Sequence, residues 1–141
     1  MPYQISAACF QSFQDDFQNL AVGMVDGALV VIDLILGLEK HYLEKHPAKI
    51  TCIAFFEDKI VVSGSVDGRI NLSDLEYMNS RKKQSKPRFL KCQNLMDRKV
   101  PVVRVETSSD MAIAVAIDIE GNCRFYDLIR FKKMAKISPV Q

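Results

Sequence analysis

The hydrophobic and polar positions of the chain repeat one pattern three times: an apolar run, an acidic residue followed by glycine, and a second apolar run that ends in Asp-Leu. The three segments span residues 19–34, 59–75 and 111–128. In each segment the acidic residue of the turn precedes the closing aspartate by seven residues. Successive turns lie 41 and then 53 residues apart. Such a period is typical of a protein built from repeated supersecondary units.

Each segment predicts a β-hairpin. An acidic residue and glycine between two apolar runs favour a tight turn, because glycine accepts the positive φ that such a turn requires. The turn residues are Asp26, Gly27, Asp67, Gly68, Glu120 and Gly121, and the closing aspartates are Asp33, Asp74 and Asp127. Because these acids recur at one spacing, we interpret them as structural rather than as paired acid and base groups.

Further short apolar runs predict the remaining strands of each unit. They lie at residues 5–10, 50–56 and 100–106 before the hairpins and at 38–45 and 89–95 between the units, and residues 2–5 and 129–137 are candidates for extra strands. Together with the hairpins they give about four short strands in every 40 or so residues, which is typical of β-propeller blades. No segment shows a convincing helical period over more than about two turns. The pattern therefore predicts an all-β fold.

The second unit resembles the WD40-repeat family of β-propellers, and residues 50–75, ITCIAFFEDKIVVSGSVDGRINLSDL, carry the resemblance best. In that family a histidine opens the repeat, a serine precedes the turn aspartate, and Trp-Asp closes the unit. The matching positions here are His46, Ser63, Asp67 and Asp74, and Ser73 stands where the family has tryptophan. The resemblance implies that His46, Ser63 and Asp67 belong to the hydrogen-bonded set that locks a blade.

The other two units depart further from the family pattern. The corresponding hairpin positions are Val22, Asp26 and Ile32 in the first unit and Ala116, Glu120 and Tyr126 in the third. No histidine precedes Val100 at the matching distance, and the chain contains no tryptophan. The resemblance is therefore specific for the blade architecture and says little about a subfamily.

The resemblance implies a partial β-propeller of about three four-stranded antiparallel blades in a single domain over residues 1–141. The blade-like units cover about 5–34, 46–75 and 97–128. Closed propellers use roughly four to eight blades. Three alternatives stay open: a fragment or short form of a longer WD-repeat protein, which the ending ISPVQ favours; a ring completed by self-association or by a partner; and an open arc.

Charge is distributed unevenly along a chain of ordinary composition, with 48% apolar residues, 26% charged residues and a net charge of +2. Residues 81–91 contain six basic groups and no acid, and residues 130–136 contain four basic groups and no acid. The rest of the chain has nine basic and seventeen acidic residues. The first basic segment belongs to a predicted loop between units, 77–91, which is rich in turn-forming residues.

This basic loop is the best candidate contact with a partner. Its basic side chains are Arg81, Lys82, Lys83, Lys86, Arg88 and Lys91. The first interpretation is that these side chains belong to a solvated loop. The alternative is that they contact an acidic protein, nucleic acid or anionic lipid. No aromatic residue lies between Arg81 and Arg88, so stacking on bases has no platform there.

Catalytic, metal and cofactor sites are not expected. The only imidazoles are His41 and His46, and neither GxxxxGK[ST] nor GxGxxG occurs. The cysteines, Cys9, Cys52, Cys92 and Cys123, form no CxxC pair, so we interpret them as reduced thiols, with Cys52 buried in an apolar strand. No signal peptide and no membrane span of about 20 apolar residues is visible.

The family resemblance implies a non-catalytic scaffold that mediates protein–protein interactions within a multiprotein assembly. The alternative is a module that binds nucleic acid or anionic lipid through residues 81–91. The expected location is intracellular, in the cytoplasm, with nucleus and cilium as alternatives. Phe10, Phe13 and Phe17 are expected to pack between blades, or else to form an exposed patch for a partner.

Overall fold

The computed structural model describes residues 4–11, 19–34, 39–43, 45–57, 59–75, 89–91, 99–130 and 132–137. Within these residues, twelve strands form three antiparallel sheets of four strands each, and no residue is helical. Sheet 1 contains β1 (Ile5–Phe10), β2 (Asn19–Met24), β3 (Leu29–Asp33) and β4 (Glu39–Tyr42). Sheet 2 contains β5 (Ile50–Phe56), β6 (Ile60–Ser65), β7 (Ile70–Asp74) and β8 (Phe89–Lys91). Sheet 3 contains β9 (Val102–Ser108), β10 (Ile113–Asp118), β11 (Cys123–Asp127) and β12 (Lys132–Ile137).

The order of strands in every sheet follows the chain, so each sheet is a four-stranded meander. This architecture confirms the predicted all-β fold, a partial β-propeller of three four-stranded antiparallel blades. The fourth strand of each sheet lies beyond the closing aspartate of its hairpin, and the last of them covers 132–137.

The central hairpin of each sheet turns through a glycine with positive φ. In the first hairpin the amide of Gly27, whose φ is 94°, donates to the carbonyl of Met24 at 3.0 Å. Gly68 and Gly121 repeat this contact with the residue three positions before them. A tight turn followed by glycine in the left-handed region is a common hairpin connection, and it explains the recurring acid-glycine pair.

Two apolar cores join the three sheets. Between sheets 1 and 2 the buried side chains are Ala21, Leu29, Val31, Leu43, Ile50, Val61 and Leu75. Between sheets 2 and 3 they include Phe56, Ile60, Val62, Ile70, Leu72, Val102, Tyr126 and Leu128. The first strands of successive sheets contact one another, β1 with β5 and β5 with β9. Sheet 2 is therefore covered on both faces, and β6 is buried along its whole length.

Candidate functional site

His46 connects sheet 1 to sheet 2. Its backbone amide donates to the carbonyl of Gly27 at 2.9 Å, and its Nε2 lies 2.8 Å from the hydroxyl of Ser63. Both side chains are fully buried. A serine hydroxyl beside an imidazole is the arrangement of a nucleophile and its base. Solvent reaches neither group, and their contact joins the segment between the two sheets to β6.

The turn acids accept hydrogen bonds from the backbone of their own hairpins. Asp26 Oδ1 accepts from the amide of Ala28 at 3.0 Å, and Asp67 Oδ1 accepts from the amide of Arg69 at 3.3 Å. Asp67 also contacts the hydroxyl of Ser65 and lies 3.6 Å from the guanidinium of Arg69. The amide of Ala28, followed by the charge of Lys45, lowers the pKa of Asp26.

In the third hairpin a second acid, Asp118, contacts the turn in addition to the one that the sequence pattern indicates. The exposed Glu120 occupies the predicted position, but the buried Asp118 accepts hydrogen bonds from the amides of Glu120 and Asn122, at 2.9 and 3.0 Å. At the far end of this hairpin, Asp127 accepts from the amides of Ile129 and Arg130. Asp118 was missed because it is the last residue of an apolar strand and lies outside the repeated motif.

Ser73, at the position where the family has tryptophan, is buried, and its hydroxyl has no hydrogen-bond partner among the described residues. Burial of an unpaired hydroxyl costs free energy, because the group loses its hydration without compensation. We therefore expect Ser73→Ala to raise the free energy of unfolding by about 1 kcal/mol, measured by urea denaturation. Ser63→Ala is the matched control, since that hydroxyl is hydrogen-bonded. It should lower stability, and a loss of stability in both variants would contradict this expectation.

Two thiols lie at the contacts between sheets. Burial raises the pKa of Cys52, against smaller opposing effects of hydrogen bonds from Thr51 and Gly64. Burial also raises the pKa of Cys9. A raised pKa keeps both thiols protonated and poorly nucleophilic at neutral pH, so neither has the character of a catalytic cysteine.

A groove of about 440 Å³ opens between sheets 2 and 3, at the end of the sheets opposite to the acid-glycine turns. The buried side chains of Phe56, Ile60, Ala112 and Leu128 form its apolar floor. Beside them lies Ile129, which is 73% exposed. This volume is within the usual range of ligand pockets, and the exposed isoleucine adds apolar surface at the rim.

The polar rim of the groove is predominantly acidic. Among the described residues it contains three carboxylates, those of Glu57, Asp74 and Asp110, and one ammonium group, that of Lys59. Lys59 Nζ lies 3.5 Å from Glu57 Oε1 at the protein surface. A rim of this composition attracts a positively charged segment, while the floor accepts an apolar side chain.

The two turns that border the groove contain residues in the left-handed region. Glu57 and Ala112 both have a φ of 52°, and they are the non-glycine residues with positive φ in the described part of the chain. Such conformations are uncommon for residues with a Cβ and concentrate at functional sites. Sequence reasoning missed this groove because its walls come from turns about 50 residues apart, and neither turn carries a recognisable motif.

Several candidate residues of the sequence lie outside the described residues, namely Arg81, Lys82, Lys83, Lys86 and Arg88, together with Phe13 and Phe17. Lys91 is the last residue of β8, so the predicted loop 77–91 ends in a strand. Phe10 does not pack between sheets, since 59% of its surface is exposed. The reason is that no described sheet lies against this side of sheet 1.

The described residues contain no group of three or more His, Cys, Asp or Glu side chains placed to hold a metal ion. In the same part of the chain no helix has the length and apolar character needed to cross a membrane.

The fold and the groove define a partial propeller with a surface groove between two blades. No protein-family model matches the chain. Over 74 residues it is 34% identical to Mitochondrial division protein 1 of Aspergillus oryzae (strain ATCC 42149 / RIB 40). This alignment covers 52% of the present chain and only 11% of the relative.

Two solved structures share the architecture. The computationally designed Ika8 protein superimposes with a TM-score of 0.70 and 20% identity, over 97% of this chain and 37% of its own. U3-55K superimposes with a TM-score of 0.75 and 10% identity, over 100% of this chain and 41% of its own. At these identities the likeness establishes the fold alone.

Proposed function

We propose that this chain is a non-catalytic scaffold of the WD-repeat type that holds other proteins together in an intracellular assembly. The observation that carries the proposal is the groove between sheets 2 and 3, with its apolar floor, acidic rim and exposed Ile129. Propeller-type sheets support it further, because they hold their connecting turns in fixed positions from which partners are recognised.

The groove is suited to an extended protein segment that carries an apolar side chain next to a basic one. The apolar side chain would cover Phe56 and Leu128, and full burial of such a side chain contributes about 1.5–3 kcal/mol. A basic side chain would lie beside Asp110 at the rim, where an exposed ion pair contributes up to about 1 kcal/mol. Apolar contact therefore supplies most of the affinity, and charge selects the partner and speeds its encounter.

Binding of nucleic acid or anionic lipid through residues 81–91 is the alternative function. It rests on the six basic side chains of that segment, five of which lie outside the described residues. Binding of this kind depends on the release of counterions, so it weakens steeply as the salt concentration rises. The groove, in contrast, would retain a large part of its affinity at high salt.

The test compares two exposed isoleucines at opposite ends of the same sheet. Ile129→Asp changes the groove rim, and Ile119→Asp is the matched control, since Ile119 is 66% exposed in a turn at the other end of β11. The tagged full chain and its variants are used to capture proteins from nuclease-treated lysate, at low and at high salt. We expect Ile129→Asp to capture at least about tenfold less of each partner than the wild type does. Ile119→Asp should capture the same amount as the wild type.

A third variant, in which the six basic residues of 81–91 are neutralised, separates the two functions. Partners that are still captured by this variant and at high salt support binding in the groove. Partners that are lost with neutralisation and at high salt, but kept by Ile129→Asp, would move the function to the basic segment.

A further inference from the structure

The outermost faces of this stack of sheets differ in their ability to receive another sheet. We call the side of a sheet toward the following sheet its forward face, and the side toward the preceding sheet its back face. The forward faces of sheets 1 and 2 and the back faces of sheets 2 and 3 meet in the two apolar cores. The back face of sheet 1 and the forward face of sheet 3 are covered by no described sheet.

Both joints between sheets use the same close contact at a glycine. Gly23 in β2 approaches Ile50, so closely that a Cβ on this glycine would lie 2.5 Å from Ile50 Cγ2. Gly64 in β6 approaches Val102 in the same way, with 2.7 Å between such a Cβ and Val102 Cγ1. Ile50 and Val102 are the first residues of β5 and β9, and both are fully buried. Each joint thus places the first side chain of one sheet against a glycine of the sheet before it.

A hydroxyl group makes a second contact at each joint. Ser6 donates to the carbonyl oxygen of Ile50 at 2.6 Å, and Thr51 donates to the carbonyl oxygen of Val102. Ser6 and Thr51 occupy equivalent positions. In each sheet the register between the first and second strands shifts at this residue, so it is paired with no residue of the second strand. The same bond therefore joins sheet 1 to sheet 2 and sheet 2 to sheet 3.

The forward face of sheet 3 lacks both contacts. Ile117 pairs with Arg104 across β10 and β9, just as Gly64 pairs with Cys52 in sheet 2, so isoleucine occupies the glycine position. Val103 stands at the position of the hydroxyl residue and is 48% exposed. An Arg104–Glu106 ion pair, with 3.3 Å between Nη2 and Oε2, lies where sheet 2 has apolar side chains. A joint of the same kind would overlap Ile117 and remove water from a charged pair.

The back face of sheet 1, in contrast, carries the side chains that the later sheet contributes to each joint. Ile5 is the first residue of β1, as Ile50 is of β5, yet it is 64% exposed. Phe10 pairs with Leu20 as Phe55 pairs with Val61, and Phe55 packs against the core between sheets 1 and 2. The two side chains that correspond to those inserted into a neighbouring sheet elsewhere, Ile5 and Phe10, are thus present and exposed, whereas Val22 and Val30 in the middle of the same face are buried.

We propose that the back face of sheet 1 is a docking surface for a β-sheet blade from outside these 141 residues, and that a second copy of this chain does not supply it. The blade it receives carries a glycine in its second strand, facing Ile5, and a serine or threonine at the position equivalent to Ser6. This surface is separate from the groove of the proposed function. The self-completed ring, one of the alternatives left open by the sequence, is disfavoured because Ile117 fills the space that Ile5 needs.

A graft tests this proposal on the full chain. Val103→Thr, Arg104→Cys, Glu106→Ala and Ile117→Gly together give sheet 3 the forward face of sheet 2. By sedimentation velocity we expect the grafted chain to self-associate at least about tenfold more tightly than the wild type. Adding Ile5→Asp to the graft should abolish this gain, and adding Ile119→Asp, which lies in a turn, should not.

Three results would overturn the proposal: no gain of association in the grafted chain, a gain that Ile5→Asp does not reverse, or association of the wild type that both Ile5→Asp and Ile117→Asp abolish. Circular dichroism and urea unfolding establish that each variant is folded. If the full graft does not fold, the pair Val103→Thr and Ile117→Gly, at two positions that are not buried, is measured in its place against the same outcomes.

Discussion

Gly27→Ala is expected to lower the free energy of unfolding by about 3 kcal/mol or more, a large part of the roughly 5–15 kcal/mol that stabilises a domain. A Cβ at this position would overlap the carbonyl oxygen of His46 and lie 2.9 Å from that of Ala48. These are backbone atoms, which cannot rotate away as the end of a side chain can. The segment between sheets 1 and 2 would have to move, and the hydrogen bond from the His46 amide to Gly27 would be lost with it.

Gly121→Ala is the matched control for this prediction. Gly121 has a φ of 87°, close to the 94° of Gly27, but it is exposed at the tip of its hairpin. Gly121→Ala should therefore lower the free energy of unfolding by about 1–2 kcal/mol, because alanine is placed in the left-handed region but overlaps no backbone atom. Urea denaturation followed by circular dichroism measures both variants. Equal losses would show that conformation alone, and not the close approach to His46, explains the glycine.

His46→Ala is expected to lower the free energy of unfolding by about 2–4 kcal/mol. The substitution removes a fully buried side chain, leaves a cavity, and deprives the Ser63 hydroxyl of the imidazole 2.8 Å away. The neighbouring Lys45→Ala serves as a control, because Lys45 is exposed and its ion pair with Asp26 lies at the surface. That control should change stability by no more than about 0.5 kcal/mol.

A double-mutant cycle of His46→Ala and Ser63→Ala isolates the hydrogen bond itself. Residues in direct contact usually show interaction energies of about 0.5–3 kcal/mol, and we expect about 1 kcal/mol or more here, since both groups are buried. Additive losses within about 0.3 kcal/mol would mean that packing, and not the hydrogen bond, explains the effect of His46.

Local patterns in the sequence were sufficient for the hairpins. The acid-glycine pairs and the closing aspartates are separated by seven residues, and a turn of this kind depends only on the φ of glycine and on neighbouring amides. The same local reasoning was incomplete in the third hairpin. It selected Glu120 by alignment and did not include Asp118, two residues earlier, whose side chain accepts the amides of Glu120 and Asn122.

Features that depend on two sheets at once could not be predicted from the sequence. For the apolar Phe10 the sequence predicts packing between blades or, as the alternative, an exposed patch, and the choice between them depends on what lies against sheet 1. The groove arises where the turn after Phe56 meets the turn before Ile113, and no local motif records that meeting.

The repeated unit, its strands and its turns follow from short stretches of sequence, because hydrogen bonds and φ preferences act between residues close together in the chain. Which face of each sheet is covered depends on the packing of one sheet against another. In the sequence, nothing distinguishes Gly23 and Gly64 from other strand residues. In the structure, Ile50 and Val102 pack against them so closely that a Cβ would overlap. The sequence shows that glycine occupies this position in two sheets and that Ile117 occupies it in the third. Only the distance between packed sheets, which side-chain volume sets, shows that glycine allows a neighbouring sheet to approach and that isoleucine does not.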